Sequence, residues 1–353
     1  MRTAPTRNLD LLRSCAVLLV AFAHLFGNGL RWYDRGYTFP HSMGRLGVLI
    51  FFVHTAFVLM MSMERMHLTG LALLRSFYFR RAFRIYPLSI ATVLAVTSLH
   101  IPADPFLHFH RMSWVQLLSN LALIQNLTRA PDAIGPLWSL PWEVQMYVAL
   151  PFLYILVRKQ RYKQLAAIVS GLVAANVIGV SIGLRGFRLL DYLPCFCAGV
   201  LAYALSRVAK SRISGSLWPM GLVITIGGYL YLGLGWPTQR IFYGEWAVCM
   251  GLGLIVPFFA DMSSGAAGTA AHFIAKYSYG IYLFHVPALW LAFDRLRWLG
   301  IPVSIVLFFG TTAVLSVAGY HLIEEPMISY GKRLSLRRQQ HGPMPELAEA
   351  LPS

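Results

Sequence analysis

Long apolar segments recur along the whole chain and limit the folds that it can adopt. They are about 18 to 24 residues long, the length that an α-helix needs to cross the hydrocarbon core of a bilayer. Charged residues make up only 12% of the chain, whereas about 25% is usual in soluble domains. We place the predicted spans at residues 9–27, 45–63, 82–100, 134–157, 165–184, 188–206, 217–235, 242–260, 272–293 and 301–323. The pattern predicts an all-α, polytopic membrane protein with about ten transmembrane helices.

The basic residues predict how these helices are oriented. If the N-terminus is cytoplasmic, the inner segments hold 19 of the 30 lysines and arginines, including every lysine, and the outer segments hold ten. Basic residues are enriched in cytoplasmic loops of membrane proteins, so both termini are predicted to be cytoplasmic. The net charge of +16 comes largely from these loops, and it therefore predicts contact with membrane lipids and no binding of nucleic acid.

We predict one folded domain followed by a short tail. Residues 1–334 form the transmembrane domain, and residues 335–353, which mix an arginine pair with proline, glutamate and alanine, form a disordered cytoplasmic tail. The longest connection, roughly 101–133, is predicted outside and contains an amphipathic segment, SWVQLLSNLALIQN. Its histidines have no cluster of cysteine or carboxylate ligands beside them, so we predict no metal site.

Arg13 and His24 are two polar residues inside the first predicted span. Eleven helical positions amount to three turns and about 20°, which places both side chains on one face, roughly 16 Å apart along the axis. Each residue alone has a structural explanation. Arg13 can extend its guanidinium to the inner membrane surface, and His24 can be a hydrogen-bonded core histidine. Their shared face favours a functional site, because charge at membrane depth is costly.

Two further polar residues lie in later spans. Glu143, in GPLWSLPWEVQMY, is expected at the depth of His24, where a Glu–His pair would orient the imidazole as a general base. A structural ion pair remains an alternative. His285, in SYGIYLFHVP, lies beside Pro287, and packing and a site role are equally compatible with its position.

Arg81 and Arg84 begin the third predicted span. They are three residues apart and therefore neighbours on one helical face, where two guanidiniums can bind a phosphate group. A topological cluster of basic residues would look similar. Glu324 and Glu325 follow the last span on the same side of the membrane and can pair with these arginines.

Taken in order, these motifs resemble those of the integral-membrane acyltransferase family 3. Arg13 and His24 match its Arg-x10-His motif, and Arg81 and Arg84 match its Arg-x-x-Arg motif within FYFRRAFRIYP. LWSLPWEVQMYVALP, which contains Glu143, is similar to a third block, and DYLPCFCAG and YSYGIYLFHVP are similar to two more.

The sequence also departs from the family pattern at several positions. Leu49 stands where many members have an acid, and His54 stands where an apolar residue is usual. Thr55-Ala56 replaces Ser-Gly, and Glu325 occupies a position that is commonly basic. These departures leave the class unchanged and bear on the identity of the acceptor.

The resemblance implies transfer of an acyl group, usually acetyl, from cytoplasmic acyl-CoA to a hydroxyl of a cell-surface or lipid-linked saccharide. It implies an enzyme of the bacterial cytoplasmic (inner) membrane with no bound cofactor, since acyl-CoA, most often acetyl-CoA, is the donor substrate. His24 and Glu143 would be catalytic, Arg13, Arg81 and Arg84 would bind acyl-CoA, and His285 and Glu324 are further candidates. The alternative is a transporter or flippase of a lipid-linked saccharide or small metabolite; against it, the sequence shows no inverted repeat.

Overall fold

The computed structural model describes residues 6–35, 38–104, 108–181, 188–209, 213–233, 241–263 and 265–340. Apart from one isolated parallel bridge between Ile213 and Phe259, the regular structure in these ranges is helical. The predicted all-α class is therefore confirmed.

A helix forms over each of the ten predicted spans. In chain order the α-helices are α1 Thr6–His24, α2 Phe39–Met66, α3 Gly70–Ser98, α4 Trp114–Leu121, α5 Gln125–Thr128, α6 Leu140–Arg158, α7 Tyr162–Ser181, α8 Arg188–Val208, α9 Trp218–Gly233, α10 Ile241–Ile255, α11 Ala266–Trp290, α12 Ile301–Gly319 and α13 Glu325–Gln340. Helix α3 starts at Gly70, well before the predicted residue 82, because Leu73 and Phe77 are buried and extend its apolar side. The predicted ends of the fifth and seventh spans, at 184 and 235, lie outside the described residues.

Several helices have the length and composition of membrane spans. Five qualify among the described residues: Arg7–Gly29, Phe39–Met66, Gly135–Arg158, Tyr162–Gly179 and Ile301–Ser335. Two shorter apolar helices cover Tyr192–Val208 and Gly244–Phe258. The chain is thus polytopic, while the number of ten crossings and their orientation remain predictions.

Helix α1 is packed between α2 and α11, and this arrangement positions the polar face predicted from Arg13 and His24. A Cβ atom on Gly47 of α2 would lie 2.6 Å from the Ala16 carbonyl oxygen, so the glycine allows α1 and α2 to approach closely. On the other side, the Ser14 hydroxyl donates a hydrogen bond of 2.6 Å to the carbonyl of Ala271 in α11.

Helix α1 and helix α12 are each followed directly by a π-helical segment of its own. Leu25–Gly29 follows α1 directly after His24, and Tyr320–Glu324 connects α12 to α13 and ends at Glu324. Such π-turns are uncommon and occur frequently at functional sites. Each therefore changes the helical register beside a residue that the sequence had already singled out.

The outer connection and the C-terminal region complete the fold. The amphipathic segment predicted in the connection forms α4, and a capping box between Ser113 and Gln116 starts it. The expected boundary at residue 334 is not a structural break, because α13 continues to Gln340. Ser335 is buried and shares a hydrogen bond of 2.7 Å with Ser76 of α3, which extends the packed helix past the boundary. The rest of the predicted tail, 341–353, lies outside the described residues.

Close packing of α2 and α8 should depend on Gly199. A Cβ atom there would lie 2.2 Å from the Val53 carbonyl oxygen, so Gly199→Ala should lower the stability of the detergent-purified protein by about 1–3 kcal/mol, measured by thermal unfolding. Gly171→Ala in α7 is the matched control, since a Cβ there meets nothing within 4 Å. Equal melting temperatures for the two variants would contradict this packing.

Candidate active site

A polar cavity of about 80 Å³ lies where α1, α2, α3, α6 and α11 meet. The residues around it come from all five helices and from the 3₁₀ turn before α6. They are Arg13, Val48, Phe51, Phe52, His54, Thr55, Val58, Leu59, Arg81, Arg84, Ile85, Ser139, Leu140, Glu143, Tyr147, Ser278, Tyr279 and Tyr282. The structure thus brings Arg13, Arg81, Arg84 and Glu143, which were predicted from separate motifs, into one site.

Arginines dominate the charge of this cavity. Arg84 forms an ion pair with Glu324, whose carboxylate is fully buried behind it, so the pairing predicted between these segments is present. Glu325 lies at the surface and instead contacts His321 at 3.0 Å. With Arg13 and Arg81 opposite the single lining carboxylate of Glu143, the site keeps an excess of positive charge.

Arg13 and Arg81 differ in how their guanidiniums are satisfied. Arg13 Nε donates a hydrogen bond of 2.5 Å to Ser278 Oγ on α11. The buried Nε of Arg81 has no hydrogen-bond partner in the described part of the chain. A buried N–H of a charged group without an acceptor is costly, so Arg81 has spare capacity for an anionic ligand.

Glu143 has a different partner from the one expected. Its carboxylate accepts a hydrogen bond of 2.5 Å from the Tyr147 hydroxyl one helical turn later, and its charged neighbours include Arg13 and Arg81. The expected contact with His24 was inferred from equal depth. Glu143 lies in the cavity beside Arg13, about three helical turns of α1 away from His24, so the expectation of equal depth was wrong.

His24 is instead paired with His285. The Nε2 atom of His285 lies 3.3 Å from His24 Nδ1, and the two rings meet edge to face with centroids 4.8 Å apart. Because Arg13 contacts Ser278 and His24 contacts His285, both side chains face α11, as their shared helical face predicted.

Backbone contacts define the protonated nitrogen of each neutral ring. His24 Nδ1 lies 2.9 Å from the Val20 carbonyl oxygen, and His285 Nδ1 lies 3.0 Å from that of Ile281. A carbonyl oxygen can only accept, so these partners assign the proton to Nδ1 in both residues. His24 Nε2 then carries a lone pair that these contacts do not use, which suits a general base.

Tyr282 connects the cavity to the histidine pair. Its side chain lines the cavity, and its ring centroid lies 6.1 Å from that of His285. The hydroxyl donates to the Pro136 carbonyl at 2.7 Å and therefore accepts the 2.7 Å hydrogen bond from Ser139. The Tyr282 ring therefore lies between the cavity and the histidine pair, while His24 and His285 do not themselves line the cavity.

The connection 101–133, which is predicted outside, lies next to the His24 end of α1. Asn28, in the π segment after His24, donates a hydrogen bond of 2.8 Å to Asp104. Farther along the connection, Asp132 accepts a hydrogen bond of 3.1 Å from Gln125, and burial raises its pKa to about 6. Part of the connection is therefore folded against the end of α1.

Several lining residues were not identified from the sequence. Tyr147 lies one helical turn after Glu143, and Tyr282 lies one turn after Ser278. Helical spacing therefore predicts that the two members of each pair share a face of their helix. His54 was noted only as a departure from the family pattern. In the described ranges, no group of three or more histidine, cysteine, aspartate or glutamate side chains could hold a metal ion.

Comparisons with known proteins give relatives of this chain, two of which carry names of acyltransferases. The chain is 24% identical over 377 residues to YrhL of Bacillus subtilis (strain 168), a candidate peptidoglycan O-acetyltransferase; the alignment covers 94% of the chain and 56% of YrhL. It is 26% identical over 386 residues to Nodulation protein 10 of Rhizobium leguminosarum bv. viciae, covering 94% of the chain and 95% of that protein. It is 32% identical over 141 residues to acyltransferase MdmB of Streptomyces mycarofaciens, and this alignment covers 38% of the chain and 35% of MdmB.

The chain therefore spans little more than half the length of YrhL and nearly all of Nodulation protein 10. No solved structure matches it. The profile of the family described as an acyltransferase domain matches residues 6–321, which include every predicted site residue except Glu324. The chain belongs to the acyltransferase 3 family of polytopic membrane enzymes.

Proposed function

We propose that this enzyme transfers an acetyl group from cytoplasmic acetyl-CoA to a hydroxyl of a cell-surface or lipid-linked saccharide. It would act in the bacterial cytoplasmic membrane, with ten transmembrane helices and both termini in the cytoplasm. The observation that carries the proposal is the arginine-rich cavity together with a histidine pair that lies next to the ring of Tyr282 in the cavity wall. Such a site combines groups for a phosphate-bearing donor with a base for a hydroxyl acceptor.

Arg81 is the residue best suited to bind the donor's phosphates. Its buried Nε lacks a partner, whereas Arg84 is held by Glu324 and Arg13 by Ser278. We propose that Arg13 and Arg84 contribute to the positive electrostatic potential of the cavity. The carboxylate of Glu143 reduces this potential, and it accepts a hydrogen bond that holds the Tyr147 hydroxyl in place.

His24 Nε2 would take the proton of the acceptor hydroxyl as its oxygen attacks the thioester carbonyl carbon. The tetrahedral intermediate collapses with cleavage of the C–S bond, and the departing CoA thiolate takes that proton from the His24 imidazolium. The products are an ester and free CoA, so atoms and charge balance. His285 acts as a positioning residue, because its Nε2 faces the Nδ1–H of His24 and favours the tautomer that has Nε2 free.

A saccharide of the cell envelope is the favoured acceptor. YrhL carries a name that refers to peptidoglycan O-acetylation, and this chain aligns with only part of it. The excess of basic residues in the predicted inner loops favours an orientation with the arginine end of the site toward the cytoplasm and the His24 end toward the outside. This orientation suits an acceptor that approaches from the outer half of the membrane.

Replacing His24 should abolish transfer without abolishing donor binding. With purified protein, radiolabelled acetyl-CoA and an extract of cell-envelope saccharides, His24→Ala should lower kcat by about 10²–10⁴-fold, because the general base is lost. Binding of acetyl-CoA, measured by calorimetry, should change little. His110→Ala is the control, since this histidine is exposed on the outer connection.

The His24 experiment has two contradicting outcomes. Transfer at the wild-type rate by His24→Ala would remove this residue from the chemistry. If the wild-type protein moved a saccharide across vesicle membranes without any acyl-CoA, the acyltransferase proposal itself would be wrong.

Arg81→Ala should raise the KM for acetyl-CoA by roughly 10- to 100-fold, the range expected for the loss of a charge-assisted hydrogen bond. The KM for S-acetylpantetheine, which lacks the nucleotide and its phosphates, should stay unchanged. Arg81→Lys should recover only part of the affinity, because the ammonium cannot make the forked contact. A similar loss with both donors would mean that Arg81 does not bind phosphate.

The ion pair between Arg84 and Glu324 should be essential for stability. Arg84→Leu leaves a buried carboxylate uncompensated and should lower stability by about 3–5 kcal/mol, measured by thermal unfolding. The double variant Arg84→Leu/Glu324→Leu should recover most of this loss. Arg207→Ala, which breaks the partly exposed pair with Glu64, is the matched control with an expected effect below about 1 kcal/mol. Equal destabilisation by Arg84→Leu and Arg207→Ala would contradict the assigned burial.

A further inference from the structure

His54 is a buried imidazole on the wall of the cavity that the mechanism above does not use. It lies in α2, is only 4% exposed, and lines the cavity together with Arg13 and Glu143. Among the described residues, the structure gives it neither a hydrogen bond nor an ion pair, and the charged group that acts on it is Arg13. Two ring nitrogens are thus available at the cavity wall.

Most of its polar neighbours already have partners within the protein. Arg13 is bound to Ser278, Glu143 to Tyr147, Tyr279 to the Ile85 carbonyl, and Tyr282 to Ser139 and Pro136. A polar side chain at membrane depth without a partner is costly and is retained where a ligand can supply the partner. His54 shares this property with Arg81, whose Nε is also unsatisfied.

We propose that His54 hydrogen-bonds a carbonyl group in the uncharged arm of the acyl donor, which carries the amides and the thioester. This inference rests on the proposed function. It makes His54 a determinant of donor affinity that is separate from the phosphate contact at Arg81 and from the base at His24.

The chemistry of the cavity favours the uncharged arm over the nucleotide. The lining also includes neutral side chains such as Phe51, Thr55 and Tyr282, which suit an uncharged group. Amide and thioester carbonyls need hydrogen-bond donors, and an imidazole can donate through one nitrogen and accept through the other. The forked guanidinium of Arg81 serves phosphate better than carbonyl groups.

The test compares two donors across a small set of variants. KM and kcat are measured for acetyl-CoA and S-acetylpantetheine with the wild type, His54→Phe, His54→Leu, His54→Gln and Arg81→Ala. His54→Phe keeps a planar ring without nitrogens, His54→Leu restores an apolar residue, and His54→Gln keeps hydrogen-bonding capacity. His110→Leu is the control for replacing an exposed histidine, and thermal unfolding reports whether each variant is folded.

We expect His54→Phe and His54→Leu to raise KM for both donors by the same factor, roughly 2- to 12-fold, as for the loss of one neutral hydrogen bond. The kcat should change less than KM, and His54→Gln should recover part of the affinity. Arg81→Ala should raise KM only for acetyl-CoA. The comparison separates the two contacts, because only the effect of Arg81→Ala on KM should depend on whether the donor carries the nucleotide.

Two results would overturn the role of His54. Unchanged KM values in a folded His54→Phe or His54→Leu variant would show that the imidazole only fills space. A rise confined to acetyl-CoA would place His54 with the phosphates. Failure of the proposed function gives a different result, since the wild-type protein would then neither bind nor consume acetyl-CoA. If one apolar variant does not fold, the other carries the same comparison.

Discussion

The need to compensate charge inside the membrane determines how this structure is built. Arg13, Arg81 and Arg84 cannot be solvated by lipid, so each must find polar partners within the protein. The Arg84–Glu324 pair connects α3 to the end of α12, and the Arg13–Ser278 contact connects α1 to α11. These contacts hold the helices around the cavity, and the Nε of Arg81 on its wall has no hydrogen-bond partner among the described residues.

The geometry of α1 then relates this cavity to the histidine pair. Three helical turns separate Arg13 from His24 on one face, and the parallel face of α11 provides a partner for each, Ser278 and His285. The distance between the charged end and the basic end is therefore determined by the helix itself. A donor with phosphates at one end and a thioester at the other suits this separation.

Local periodicity was sufficient for much of the fold and for part of the site. Segment length predicted the helices, and the spacing of Arg13 and His24 correctly predicted a shared face. The partner of His24 was not predictable, because only the packing of the helices places Glu143 beside Arg13, at the other end of the shared face, and His285 beside His24. The same limit concealed His54, whose position at the cavity wall depends on how α2 packs against α1.

We propose that one donor molecule extends from the arginine cavity to His24. This can be observed in a structure determined by electron cryo-microscopy with a non-hydrolysable acetyl-CoA analogue. The account predicts a donor phosphate at Arg81 and the acyl carbonyl carbon close enough to His24 for an acceptor oxygen to fit between them, about 3–3.5 Å from that carbon. A donor bound outside the cavity, or an acyl group directed away from His24, would contradict the account.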